Sequence, residues 1–149
     1  MSSETTGSVK SVVWAGGILL VLGAAHVVLS GVLSAAHIPG WWQGGLWNVR
    51  IAALMSPEPA MGAFWLVWGS FGVPLALIGA LVVGFGRRGQ APPVYLGVGV
   101  LVWALVGAAL FEPSPFVVGA IPGVLMLAAT RKSRTARAGA PTYGPSGSA

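Results

Sequence analysis

The residues of this chain whose types suit acid–base chemistry are few, and one of them sits in an ordered pattern. From His26, steps of four, four and three residues reach Ser30, Ser34 and His37, so on a helix running to Ile38 all four project from one face. In the other direction that face continues through Gly23, Leu19 and Gly16, which are mostly small, and it is therefore expected to meet another helix. Glu112 and Glu58 are the carboxylates that the chain order assigns to the same end of the molecule, with Arg50, Asn48 and Gln43 beside them. In an enzyme, Glu112 is the candidate acid, because a carboxyl withdrawn from water holds its proton more readily, and His26 is the candidate base or relay. Arg50 and Asn48 would hold a polar head, while Trp65, Trp68 and Trp103 would shape an apolar pocket or stabilise a developing cation. Ser30 and Glu58 complete the candidate ligand-binding set.

Each of these residues also has a structural reading. Serines in membrane helices bond their own backbone, a histidine makes a single interhelical hydrogen bond, and glutamates beside Pro59 and Pro113 rest in headgroup water. Neither a metal nor a cofactor is expected. His26 and His37 on one helix do not clamp a haem iron within a single chain, two histidines with distant carboxylates lack zinc spacing, and cysteine is absent. No Walker loop, dinucleotide fingerprint or nucleophile elbow occurs.

The elements that must position these groups follow from the placement of charge. Four stretches carry no Asp, Glu, Lys or Arg: Ser11 to Ile38, Ala60 to Gly86, Ala91 to Phe111 and Pro113 to Thr130. Each is near or above the roughly 17 to 20 residues that a helix needs to cross a hydrocarbon core. Hydrophobic residues make up 55% of the chain and charged ones 7%, against about a quarter charged in an average soluble domain. The expected fold is all-α, an integral membrane four-helix bundle with helices at about 11–38, 60–86, 92–112 and 115–130. The outer joint 39–59 has room for a short interfacial helix at 44–54, residues 1–10 form an N-terminal segment, and 131–149 read as a disordered basic tail. The apolar run of the first helix exceeds a signal peptide's, so it is expected to stay uncleaved.

Orientation follows from the basic residues. Lys10, Arg87, Arg88, Arg131, Lys132, Arg134 and Arg137 fall on one side of such a bundle and only Arg50 on the other, which predicts a multi-pass protein of the cell membrane with both termini cytoplasmic. A basic balance of this kind, placed at helix ends, points to anionic lipid headgroups and away from nucleic acid. Pro74 and Pro122 fall inside the second and fourth helices and are expected to bend them, Pro122 the more so because Gly123 adjoins it in a short helix. Gly119 and Gly123 form a small-xxx-small pair, and Trp14, Trp41, Trp42 and Trp47 read as interface anchors.

With Gly23-Ala-Ala-His26 in the first helix and Ala63-Phe64-Trp65 opening the second, residues 12–130 resemble a family of small four-helix bacterial membrane proteins of unknown function. That resemblance implies the membrane fold and carries no activity. The plan of four helices with a membrane-embedded His and Glu is also similar, in architecture alone, to the emopamil-binding sterol isomerases. Three functions remain open on this reading. One is a module that holds a small apolar ligand or a partner helix in a cavity opening outward. Another is an isomerase, cyclase or hydratase acting on an isoprenoid or sterol-like substrate. The third is a structural or assembly subunit, in a homo-oligomer or with a partner subunit, in which Gly119 and Gly123 face another chain.

Overall fold

The computed structural model describes residues 3–43, 46, 56–110 and 116–138. All regular structure among them is helical: α1 (Ser3–Leu33), a 3-10 turn (Ala35–His37), α2 (Pro39–Trp42), α3 (Pro59–Val67), α4 (Gly72–Arg87), α5 (Val94–Leu110) and α6 (Phe116–Ala138). Three segments are long and apolar enough to cross a membrane, Val9–Leu33, Pro59–Arg87 and Phe116–Thr135, and Val94–Leu110 is a shorter apolar helix. Chain contacts divide the molecule into one unit of residues 1–15 with 82–149 and another of residues 16–81, the boundary falling inside α1 and α4.

Several helix ends differ from the expected ones, and the cause is the same in each case. A charge-free run marks where hydrocarbon is tolerated, whereas a helix continues wherever its backbone bonds can be made. Thus α1 begins at Ser3 within the polar N-terminal segment, and α6 runs to Ala138, so residues 131–138 are helix and not disordered tail. Hydroxyls fold back onto that last stretch, Ser133 donating to the Ala129 carbonyl at 2.9 Å and Thr135 to that of Lys132 at 2.9 Å. The other end of α1 stops early, at Leu33. Pro39 has no N–H to continue the ladder, and the chain tightens first, with His37 N–H bonding Ser34 O and Ile38 N–H bonding Ala35 O. Residues 139–149 and most of the proposed interfacial helix 44–54 lie outside the described residues.

In the unit of residues 16–81, α1 and α4 touch backbone to backbone. A Cβ on Gly79 would overlap the Leu20 amide and stand 2.7 Å from the Gly16 carbonyl oxygen, and one on Gly72 would stand 2.8 Å from both the His26 ring and Val27. Gly23 in turn lies against Gly72 and Ala76. The contacts recur every seven residues, at Gly16 and Gly23 on one helix and Gly72 and Gly79 on the other. This is the repeat that keeps one seam of a helix against its neighbour, with Leu19 and Leu75 buried in the seam. The faces turned away are apolar too: Val21, Val28, Leu29, Val32 and Leu33 are each more than 60% exposed. Water penalises such a surface and hydrocarbon does not.

The second of these long apolar segments is interrupted. Residues 68–71 separate α3 from α4, and the cause is Pro74, whose ring crowds the carbonyl four residues earlier, at Ser70, and offers it no N–H. Gly69 and Ser70, weak helix formers in sequence, give the chain room to turn there. By contrast α6 passes through Pro122 without interruption, and Pro122 is buried.

In the unit of residues 1–15 and 82–149, α5 and α6 pack antiparallel. Gly97 meets Met126 and Leu127, Leu101 meets Gly123, Ala104 meets Gly119, and Gly107 lies under the Phe116 ring. The Gly119–Gly123 pair therefore serves contact within the chain; the expectation that it faces another chain is corrected, since α5 already occupies that face. At the end of α4, Gly89 takes φ 69°, and Gln90 N–H bonds Phe85 O while Gly89 N–H bonds Gly86 O, the double closure that ends a helix with glycine in the left-handed region. Pro92 is buried just beyond, its carbonyl accepting from the Thr130 hydroxyl at 3.1 Å.

Candidate functional site

The polar stripe of α1 meets the interruption of the second segment. His26 is half-buried and Ser30 and Ser34 are buried on the same face as Gly16, Leu19 and Gly23. His26 Nε2 lies 3.3 Å from the Leu66 carbonyl oxygen, Ser30 Oγ lies 3.4 Å from the same nitrogen, and the ring stacks on Phe71 with centroids 4.3 Å apart at 38°. A carbonyl only accepts, so Nε2 carries its hydrogen and donates, with the Ser30 oxygen taking a lesser share.

The reason a histidine is held here is the backbone of the break. In an unbroken helix the Leu66 carbonyl would accept from the N–H of residue 70. Here Phe64 O takes two amides, Trp68 at 2.8 Å and Gly69 at 3.2 Å, and the ladder ends. Of the carbonyls beyond, Leu66 is met by His26 and Val67 by the Ser70 hydroxyl at 3.1 Å, while the Ser70 oxygen also lies 3.3 Å from the Gly72 amide at the start of α4. Hydrocarbon offers no water to such groups, so leaving one open is costly there. The Trp65 ring lies across Gly69, where a Cβ would collide with it, and screens the turn from one side.

The other expected site residues are distributed more widely. Trp65 and Trp68 flank the break and are 51% and 54% exposed. Glu58 is exposed at the N-cap of α3 and makes no capping bond with its side chain. Trp103 belongs to the other unit, where its ring meets Phe116 edge-on with centroids 4.9 Å apart. His37 lies beyond the end of α1, in the 3-10 turn, and is exposed. Glu112, Arg50 and Asn48 lie outside the described residues, and with them the pairings expected of Glu112 with His26 and of Arg50 with either glutamate.

Ser70, Phe71 and the Leu66 carbonyl are the members of the site that the sequence reading missed. The signal for Ser70 was present in Gly69-Ser70, five and four residues before Pro74, a breaker followed by a capping residue. Near the other end of α3, α2 packs on its first turn: Trp41 Nε1 donates to the Ala60 carbonyl at 2.8 Å, and its ring meets Phe64 edge-on at 5.8 Å.

Long apolar helices, seams of small residues, lipid-compatible outer faces and an internal break closed by polar side chains are the construction of a helical membrane protein. Within that class the chain belongs to a family of unknown function, DUF6463, whose model matches residues 10–133. No curated protein and no solved structure matches it.

Proposed function

We propose that this protein crosses the membrane four times with both termini cytoplasmic and holds a small apolar ligand or a partner helix toward its outer end, at the interrupted second crossing. The observation that carries this reading is the exposed aromatic group around a backbone break: Trp65, Trp68 and Phe71 stand 51%, 54% and 38% exposed beside carbonyls that His26 and Ser70 have to satisfy. Interrupted helices at membrane depth persist where they are covered by protein or line a cavity. At about 1.5 Å per residue the break lies about 14 Å along α3 from Pro59, well inside the segment. The acid–base reading, with Glu112 as acid and His26 as base on an isoprenoid-like or sterol-like substrate, draws less support, since His26 Nε2 is engaged in holding the Leu66 carbonyl.

Native mass spectrometry of the gently purified chain tests the ligand. Wild type is expected to carry a small apolar molecule that Trp65→Leu/Trp68→Leu loses; bulk phospholipid alone, unchanged by those substitutions, would refute the reading. Orientation has its own test, made simple by the absence of cysteine. A cysteine at Gly45 should react with an impermeant maleimide added to intact cells and one at Gly89 should not, and labelling at Gly89 would reverse the topology.

A further inference from the structure

The unit of residues 1–15 and 82–149 gathers six exposed cations at one end, and the structure shows how. Gly86 packs directly on Val12 and Val13, which sets the end of α4, with Arg87 and Arg88, level with the start of the apolar part of α1, one turn after Lys10. The Thr130 hydroxyl holds the Pro92 carbonyl and so ties the turn that follows Arg88 to α6 just where Arg131, Lys132 and Arg134 begin. Arg134 is four residues beyond Thr130 and hence on the face that carries Pro92. All six are exposed, and none has an ion-pair partner among the described residues. A second observation lies at the same level: Trp14, next to Val13, is 71% exposed, and Tyr95, three residues after Pro92, is 73% exposed. Exposed Trp and Tyr at the end of apolar helices mark the headgroup layer.

The geometry points to a binding site for the phosphodiester of an anionic phospholipid, formed by Lys10, the Arg87–Arg88 turn and the first polar turn of α6. Guanidinium groups suit phosphate because they donate in pairs along a fixed fork, and the aromatic rings beside them suit the glycerol and upper acyl region. The lipid is favoured over free phosphate by those rings, which offer a soluble anion nothing. This inference rests on the membrane reading and is independent of what occupies the break at residues 68–71.

The test uses the full chain in micelles containing phosphatidylglycerol or phosphatidylcholine, with retained lipid read by native mass spectrometry. Wild type should retain phosphatidylglycerol preferentially, and Arg87→Gln/Arg88→Gln/Arg134→Gln should weaken that retention on the order of a hundredfold, about fivefold per cation removed. The comparison protein carries the same change of net charge elsewhere, as Ser146→Glu/Gly147→Glu/Ser148→Glu, and should keep the preference. Equal loss in both proteins would show that net charge and not the rim attracts the lipid, and so would overturn the site. Displacement of the lipid by millimolar inorganic phosphate would overturn the assignment to a phospholipid. Loss of the apolar ligand at Trp65 and Trp68 leaves this outcome unaffected, so the two readings fail separately.

Discussion

Gly79→Ala is expected to lower stability by about 3 kcal/mol, the upper end of what overpacking usually costs, while Gly84→Ala in the same helix leaves it unchanged or raises it by about 0.5–1 kcal/mol. The two glycines differ only in what a methyl group would meet. At Gly79 it overlaps the Leu20 amide and approaches the Gly16 carbonyl, and both are backbone atoms of α1 that have no rotamer to retreat into. At Gly84 it meets nothing within 4 Å, so only the helix-propensity gain of alanine remains. Helices in lipid lack the hydrophobic drive that would hold them together at a larger separation, which makes close approach the main source of their association. Reversible unfolding of the purified protein in mixed micelles, followed by tryptophan fluorescence, measures both variants. A Gly79→Ala protein as stable as wild type would show that α1 and α4 are not in backbone contact.

The second large effect concerns His26. His26→Leu should cost about 1–2 kcal/mol, since it leaves the Leu66 carbonyl without its donor where water is scarce, and His26→Gln, which keeps an N–H donor on a side chain of similar reach, should recover part of that. The decisive comparison puts His26→Leu into a Pro74→Ala background. Alanine at position 74 returns an N–H for the Ser70 carbonyl and removes the ring that crowds it, so the helix can close through residues 68–71 and the Leu66 carbonyl can regain an amide partner. The cost of His26→Leu should then fall by at least half, a coupling of roughly 0.5–1 kcal/mol, within the range of groups that act on one feature. Strict additivity would mean that the histidine serves some other purpose than holding the break, and would return weight to an acid–base role.

Placing the site on a histidine that repairs the backbone also explains why the chemistry expected of it is difficult to read from the chain. The regular spacing of His26, Ser30 and Ser34 is a property of one helix and was visible as a stripe. Its partner is a main-chain oxygen on another helix, and a carbonyl has no residue type by which a sequence could announce it. The same applies to Gly119 and Gly123. Their spacing shows that a close approach will occur, but the neighbour could equally be α5 or a second chain, and only the antiparallel packing of α5 on α6 decides between them.

What the sequence by itself determined is the all-α character and three of the four segments expected to span a membrane, for a physical reason: in hydrocarbon a backbone must satisfy its polar groups locally, so length and the absence of charge decide the element; the fourth, Val94–Leu110, is a shorter apolar helix. Tertiary structure decided where those elements stop and what interrupts them. Helix α6 runs on to Ala138 because water supports a helix as well as lipid does, and α1 gives way after Leu33 to a 3-10 turn ahead of Pro39. Pro74 interrupts its segment and Pro122 does not, although both remove the same hydrogen bond. The difference lies in their surroundings: at the break before Pro74 the Leu66 and Val67 carbonyls find His26 and Ser70, so the chain can open there, whereas Pro122 sits buried in a helix seamed to α5 through Gly119 and Gly123 on either side. A proline's cost is local, but whether the chain breaks depends on which side chains stand ready to receive what it releases.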